Sequence, residues 1–368
     1  MRNERRKACF LFIVHRSAFI ISSLHSIPQS IRIPVIVRNK MNPQEIFINE
    51  AGRLRSGWRF LVFAGVYLIA VQVVLRLFVA LASFALGNYA EGFLNGAGGY
   101  IAQGFILLAL AIVIGWGCGR LLEDLPFRAL GWSFGRGWMR DWLLGSLIGS
   151  LSLLLAVAIA WASGSYRFSI NEGGLSQSVA ETLIFSGFLF ILLAAAEEAI
   201  FRGYPLQTMT RARMAWLAII ITAVIFSSGH LNNPNVVPGF TFLNTAIAGV
   251  WLAIAYLRTR NMWFPLGIHW AWNWTMSAVL GIPVSGITRV TPDPLLRASD
   301  LGPAWLTGGS YGIEGGAACT IALLLSTLFI WRTRLVSANE EMMLLTDREN
   351  PKQTEQLLSI LDSPEEIE

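Results

Sequence analysis

The stretch Leu183–Arg202, LIFSGFLFILLAAAEEAIFR, decides how the whole chain is read. Its first fourteen residues carry no charge, and then Glu197, Glu198 and Arg202 fall within six residues. On insertion scales an ionisable side chain in mid-membrane costs about 2.5–3.5 kcal/mol, so three so close together require a packed polar interior that receives them. Chemistry or transport inside a bilayer is the expectation.

The composition around this stretch agrees. With 54% hydrophobic residues, 14% charged and a mean hydropathy of +0.54 over 368 residues, the chain lies outside the usual soluble range. Eight apolar stretches, near 60–84, 100–118, 141–162, 180–203, 214–231, 241–257, 262–281 and 311–331, each approach the ~20 residues that cross a hydrocarbon core. The expected fold is therefore all-α, a polytopic bundle of about eight transmembrane helices with the site inside it. Arginines recur at alternate ends: Arg53, Arg55 and Arg59, then Arg120, Arg128, Arg136 and Arg140, then Arg211 and Arg213, Arg258 and Arg260, Arg332 and Arg334. No Lys or Arg lies between His230 and Arg258. By the positive-inside rule both termini are expected in the cytoplasm.

The net charge of +5 belongs to one end, because residues 1–40 contribute +7 and the remaining 328 residues −2. A nucleic-acid partner is not implied. The apolar pieces of that segment are broken and too short to span, and no clean cleavage site follows them. Met41 opens a natural start, MNPQEIFINEAGRLRSGWRF, so translation from Met41 and a basic cytoplasmic arm are both retained as readings of 1–40. The body then runs 41–335, with its polar motifs within about 180–281, and a polar, acidic tail over 336–368 reads as solvated or partly disordered. Cys9, Cys118 and Cys319 show neither a metal spacing nor a disulfide frame. Gly145 and Gly149, like Gly115 and Gly119, sit four apart and read as close helix contacts. Arg76, inside the first span, reads as snorkelling to the interface.

Only two histidines lie beyond residue 40, His230 and His269, both in apolar spans. If the fourth and fifth spans form a hairpin turning near Ala212, Glu197 and His230 lie roughly 22 and 27 Å from the turn at about 1.5 Å per residue, hence at similar depth. Pro205 is expected to kink the first of these helices. Glu198 and Arg202 are i and i+4, an ion pair on one face, whereas Glu197 is turned about 100° away and left free to act. His269 and Asn273 share a face in the same way, and Trp270, Trp272 and Trp274 can wall that face from lipid. No Ser or Cys is paired to a base in these motifs, which speaks against an acyl-enzyme.

EEAIFR at Glu197–Arg202, FSSGH at Phe226–His230 and HWAWN at His269–Asn273 fit EExxxR, FxxxH and HxxxN. With them the chain resembles the CAAX-protease and bacteriocin-processing (CPBP, Abi) family of intramembrane endopeptidases, of the type II CAAX prenyl endopeptidase kind. GYPLQ and HLNNP after the first two motifs strengthen the likeness. The resemblance implies a multi-pass peptide hydrolase in which Glu197 takes the proton of the attacking water and His230 orients that water. His269 and Asn273 donate to the oxyanion, while Glu198 and Arg202, with Phe226, support the site. Its substrate would be a membrane-tethered or prenylated (CAAX-type) protein or peptide, and its setting the lipid bilayer. The short loops suit a bacterial cell membrane. Zinc is disfavoured, since there is no HExxH and Asn273 is a poor zinc ligand but a good oxyanion donor; were a metal present, Glu197, His230 and His269 would hold it. A rival class is a transporter, or a binding or immunity protein using the same buried cluster without proteolysis. Against the transporter stands the lack of inverted repeats and paired broken helices.

Overall fold

A computed structural model describes residues 46–338 and 340–348 of the chain. The readings of residues 1–40, and of the tail beyond 348, lie outside the described residues. The described residues from Phe47 belong to one compact unit.

Each apolar stretch becomes helix, because in a medium without water the backbone must satisfy its own hydrogen bonds. In chain order the helices are α1 (Ser56–Leu86), α2 (Ala90–Leu94), α3 (Ala97–Glu123), α4 (Trp138–Ala162), α5 (Gln177–Phe201), α6 (Tyr204–Arg211), α7 (Ala215–Gly229), α8 (Phe240–Thr259), α9 (Trp263–Trp274), α10 (Ala304–Thr307), α11 (Ala317–Arg332) and α12 (Glu340–Thr346). Strand β1 (Tyr166–Ile170) pairs antiparallel with β2 (Leu296–Asp300), Tyr166 opposite Asp300. Among the described residues, five helical stretches are long and apolar enough to cross a membrane: Ser56–Leu94, Ala97–Glu123, Trp138–Ala162, Gln177–Arg211 and Phe240–Thr259. The chain is an integral membrane protein. Of the eight stretches expected, the other three form the shorter helices α7, α9 and α11. A helix shorter than the hydrocarbon core is tolerated where the adjoining backbone is buried in protein. α9, for instance, continues into a π-helical turn at Thr275–Val279.

Burial orders the bundle from outside inward. The buried share of the most apolar window rises from 11% in α1 to 56% in α8. α1 and α3 thus form a lipid-facing flank, and Arg76 lies on the exposed side of α1. The inner wall is made by α4 and α9, which approach almost backbone to backbone. A Cβ on Gly145 would meet the carbonyl of Phe264, one on Gly149 that of Ile268, and one on Gly267 that of Trp142. The expected role of the Gly145/Gly149 pair is therefore fulfilled, with α9 as the partner. Gly115 and Gly119 lie against Tyr204 less tightly: a Cβ on either would rest in ordinary contact with it, at 3.4 and 3.9 Å.

The arginine-bearing ends come together on one face. Glu123 accepts from Arg211 at 2.9 Å and pairs with Arg59 at 2.8 Å, all three buried. Nearby, Arg140 donates to the Leu335 carbonyl at 2.9 Å and Arg260 to that of Thr346 at 3.2 Å. The tail expected from 336 to be solvated or partly disordered is helical over its first part. Residues 340–346 form α12, which buries Met342 and Thr346 and pairs Glu341 with Arg128 at 2.9 Å. The MMLLT run supplies the apolar side that docks. The opposite face carries the β1–β2 pair and the long connection 280–316; the Asn171 amide extends the pairing by donating to the Leu295 carbonyl at 3.2 Å, and its side chain donates to that of Pro294 at 2.9 Å.

Candidate active site

Glu197 and Glu198 sit in the last turn and a half of α5, where the helix stops. Ser176 caps the start of α5 by accepting from the Val179 amide at 3.4 Å. At its other end Gly203 takes a non-helical conformation and Pro205 begins α6, lacking the N–H that a continuous helix would need. The kink expected at Pro205 is thus a complete break. One consequence is a correction to the expected hairpin: α7 packs mainly on α6 and α8 rather than lying along α5.

The two carboxylates separate as helical geometry requires. The side chain of Glu198 is fully buried, whereas that of Glu197 is 35% exposed. Arg202 Nη1 donates to Glu198 Oε1 at 3.2 Å, and its Nη2 donates to the Gly249 carbonyl of α8 at 3.2 Å. The same Glu198 oxygen lies 2.9 Å from His269 Nδ1 on α9. A carboxylate only accepts, so Nδ1–H donates to Glu198 and the other ring nitrogen is turned elsewhere. That nitrogen, Nε2, lies 3.5 Å from Glu197 Oε2. His269 is thereby held between the two glutamates, a partnership the sequence reading did not contain: it set Glu197 opposite His230. His230 takes its place in the same cavity differently, with its Nδ1–H donating to the Phe226 carbonyl at 2.8 Å. This fixes the tautomer of the neutral ring, leaving Nε2 as the acceptor.

Phe226 explains why an aromatic precedes His230 by four. The Arg202 guanidinium stands 5.1 Å from its ring centroid, and the rings of His230 and His269 meet it at 4.7 and 6.3 Å. It fills the space among three polar groups while offering the cation its π face. The tryptophans of α9 do more than wall the site. Trp270 and Trp274 donate to the carbonyls of Gly187 and Leu183 at 2.9 and 3.0 Å, fastening α9 to α5. Trp272 instead donates to Glu314 Oε1 at 3.1 Å.

Glu197, His230, His269 and Asn273 all line one cavity of about 400 Å³. Its walls also include Tyr100, Asn233, Asn244, Trp251 and Glu314. Glu314 was missed by the sequence reading, having only a Gly-rich setting, GIEGG, to mark it. Its second oxygen accepts from the Ser285 amide and hydroxyl, each at 2.8 Å, so it ties the connection 280–316 to α9. Among the described residues no group of three or more His, Cys, Asp or Glu side chains is arranged to hold a metal ion. Chemically, the cavity offers the Glu197 carboxylate, free of the ties that hold Glu314 to Ser285 and Trp272, two imidazoles that donate through Nδ1, and the Asn273 carboxamide. That set can remove a proton from water and donate to a developing oxyanion.

Residues 178–275 match the family model described as type II CAAX prenyl endopeptidase Rce1-like. The matched stretch holds all three motifs and ends just past Asn273. No curated protein and no solved structure matches the chain.

Proposed function

From the premise that residues 178–275 are those of the type II CAAX prenyl endopeptidase Rce1-like family, we propose that the chain is an intramembrane endopeptidase working by glutamate-activated water. Its substrate is a membrane-associated protein or peptide, of which the prenylated CAAX type is one form. The family match supports peptide hydrolysis of the CAAX-protease kind. The observation that carries the glutamate mechanism is the unequal fate of the acid pair, Glu197 open to the cavity and Glu198 buried on Arg202 and His269.

In this mechanism water attacks the scissile carbonyl carbon and gives one proton to Glu197. His230, with Nε2 free of its backbone contact, accepts from the same water and orients it. Held between two carboxylates, His269 acts as the imidazolium, with Nδ1–H on Glu198 and Nε2–H toward Glu197, and as the carbonyl oxygen becomes an oxyanion this Nε2–H and the Asn273 amide donate to it. Glu197 then returns its proton to the leaving amine, and the C–N bond breaks. General-base assistance of this kind contributes about 10²–10⁴-fold, so its loss is easily measured. Fixed donors act strongly because a water-poor cavity neither screens them nor makes them reorient.

The test uses the purified full chain in liposomes with a membrane-tethered peptide and, in parallel, a prenylated one. His269→Ala and Asn273→Ala are each expected to lower kcat by about 10²–10³-fold, the usual effect of removing an oxyanion donor. Undiminished kcat in both variants contradicts their assignment. Cleavage is expected to survive chelators, and a loss restored by zinc would overturn the metal-free mechanism.

A further inference from the structure

We infer that the catalytic cavity opens only toward the arginine-poor, extracytoplasmic face of the membrane, through a port between α3, α5 and the 289–293 loop, so that of the membrane-associated substrates proposed above it takes an extracytoplasmic peptide segment and not a cytoplasmic prenylated tail. The inference rests on the proposed protease activity for its substrate, and on geometry and charge for its direction.

The cavity itself is polarised along the bundle. Its rim residues, Asn233, Ser285, Ile287, Val290 and Glu314, belong to connections at the end that carries the β1–β2 pair. None of its lining residues comes from the arginine-bearing connections 124–137, 202–214, 258–262 or 333–338. Below Glu197 and His269 the bundle is closed by a packed layer: Leu206 and Met209 of α6, Ile219 of α7, Tyr256 of α8 and Met262, all buried. Beneath that layer lies the Arg59–Glu123–Arg211 cluster. A peptide could not reach Glu197 from that side without unpacking both.

A second, shallower cavity of about 410 Å³ adjoins the first, and Tyr100 and Val290 line both. It is bordered by the start of α3 at Ala97, the start of α5 at Ser178–Phe185, and Arg289–Asp293. The pair therefore forms a passage from the surface to the catalytic residues, with Tyr100 and Val290 at its neck.

Charge then states which compartment this face meets. The connections 124–137, 203–214, 258–262 and 332–338 together carry Arg128, Arg136, Arg211, Arg213, Arg258 and Arg260, besides Arg332 and Arg334. At the cavity end, the connections 87–96 and 230–239 carry no Lys or Arg, 163–176 carries Arg167 beside Glu172, and the long 280–316 carries Arg289 and Arg297 beside Asp293, Asp300 and Glu314. Retention of short, arginine-bearing loops in the cytoplasm fixes the opposite ends outside. The two observations are independent, since one concerns packing and the other translocation.

The experiment places single cysteines in the full chain on a Cys9→Ser/Cys118→Ala/Cys319→Ala background, in intact cells, with a small membrane-impermeant thiol reagent. Arg289→Cys at the port and Ala248→Cys in the cavity wall are expected to be modified before lysis, and Arg136→Cys only after the membrane is opened. Modification of Arg136→Cys but not Arg289→Cys in intact cells reverses the orientation and overturns the inference. Modification of Ala248→Cys only in inside-out vesicles likewise overturns it. In a second arm a soluble, impermeant peptide is supplied to right-side-out and inside-out vesicles. Cleavage confined to right-side-out vesicles is expected, and cleavage confined to inside-out vesicles contradicts it. Absence of cleavage in both, with outside labelling intact, refutes the protease activity and leaves the direction of opening standing.

Discussion

Glu197 and Glu198 are chemically identical neighbours that the helix sends into different media, one into the cavity and one onto Arg202 and His269. Removing each should therefore have different consequences. Glu198→Ala leaves a buried guanidinium without its carboxylate and is expected to cost about 3–5 kcal/mol of stability. Glu197→Gln keeps the size of a side chain that is 35% exposed and leaves the Arg202–Glu198–His269 pairing in place, so it is expected to cost far less than Glu198→Ala. Thermal unfolding of the two variants in detergent checks this, and equal losses would contradict the division. The division itself was legible from the i, i+4 spacing of Glu198 and Arg202. Histidine 269 was not: its place between both glutamates depends on which helices become neighbours, and that is set by Gly145, Gly149 and Gly267 across α4 and α9. Glu314 lay beyond any motif, and only the return of the 280–316 connection brings it to Trp272.

Among the elements, α9 is the one whose placement the site depends on most. It carries His269 and Asn273, its inner side rests on the backbone of α4, and its tryptophans hold it to α5. Gly149→Ala inserts a methyl group against the Ile268 carbonyl, and overpacking of this kind costs about 1–3 kcal/mol. Because the displaced residue adjoins His269, kcat should fall more than the loss of folded protein accounts for. Gly117→Ala in α3 has open space around its Cβ and is expected to leave both stability and kcat unchanged or slightly improve the former. Activity per folded molecule and unfolding temperature, measured together, separate the two outcomes. The apolar stretches predicted their helices well because the need to satisfy backbone groups in lipid is local to each run. The break after Phe201 was legible only as a kink, since Pro205 signals a missing N–H but not the non-helical turn at Gly203. Docking of α12 was hidden, because a seven-residue helix in an acidic tail shows its apolar side only when a partner surface receives Met342.

On the scale of the whole molecule, the bundle is sealed at one end and open at the other. The seal includes Glu123 buried between Arg59 and Arg211, joining α1, α3 and α6. Glu123→Ala leaves two buried arginines facing each other, and a loss of about 3–5 kcal/mol is expected. Since the cluster lies outside the cavity, kcat of the molecules that fold should be retained; a fall in kcat at unchanged stability would contradict a purely architectural role. The clustering of arginines at one end was legible in their alternation along the chain, whereas the opening of the cavity was not, because it depends on how loops far apart in sequence close over the site. These features converge on the claim that the half-exposed carboxylate of α5 activates water inside this sealed bundle. The most direct test is single-turnover cleavage of a membrane-tethered peptide by the purified full chain and by Glu197→Gln at matched folded concentration. The account predicts a fall of about 10²–10⁴-fold in the cleavage rate with an unchanged unfolding temperature. Cleavage by Glu197→Gln at the wild-type rate would contradict it.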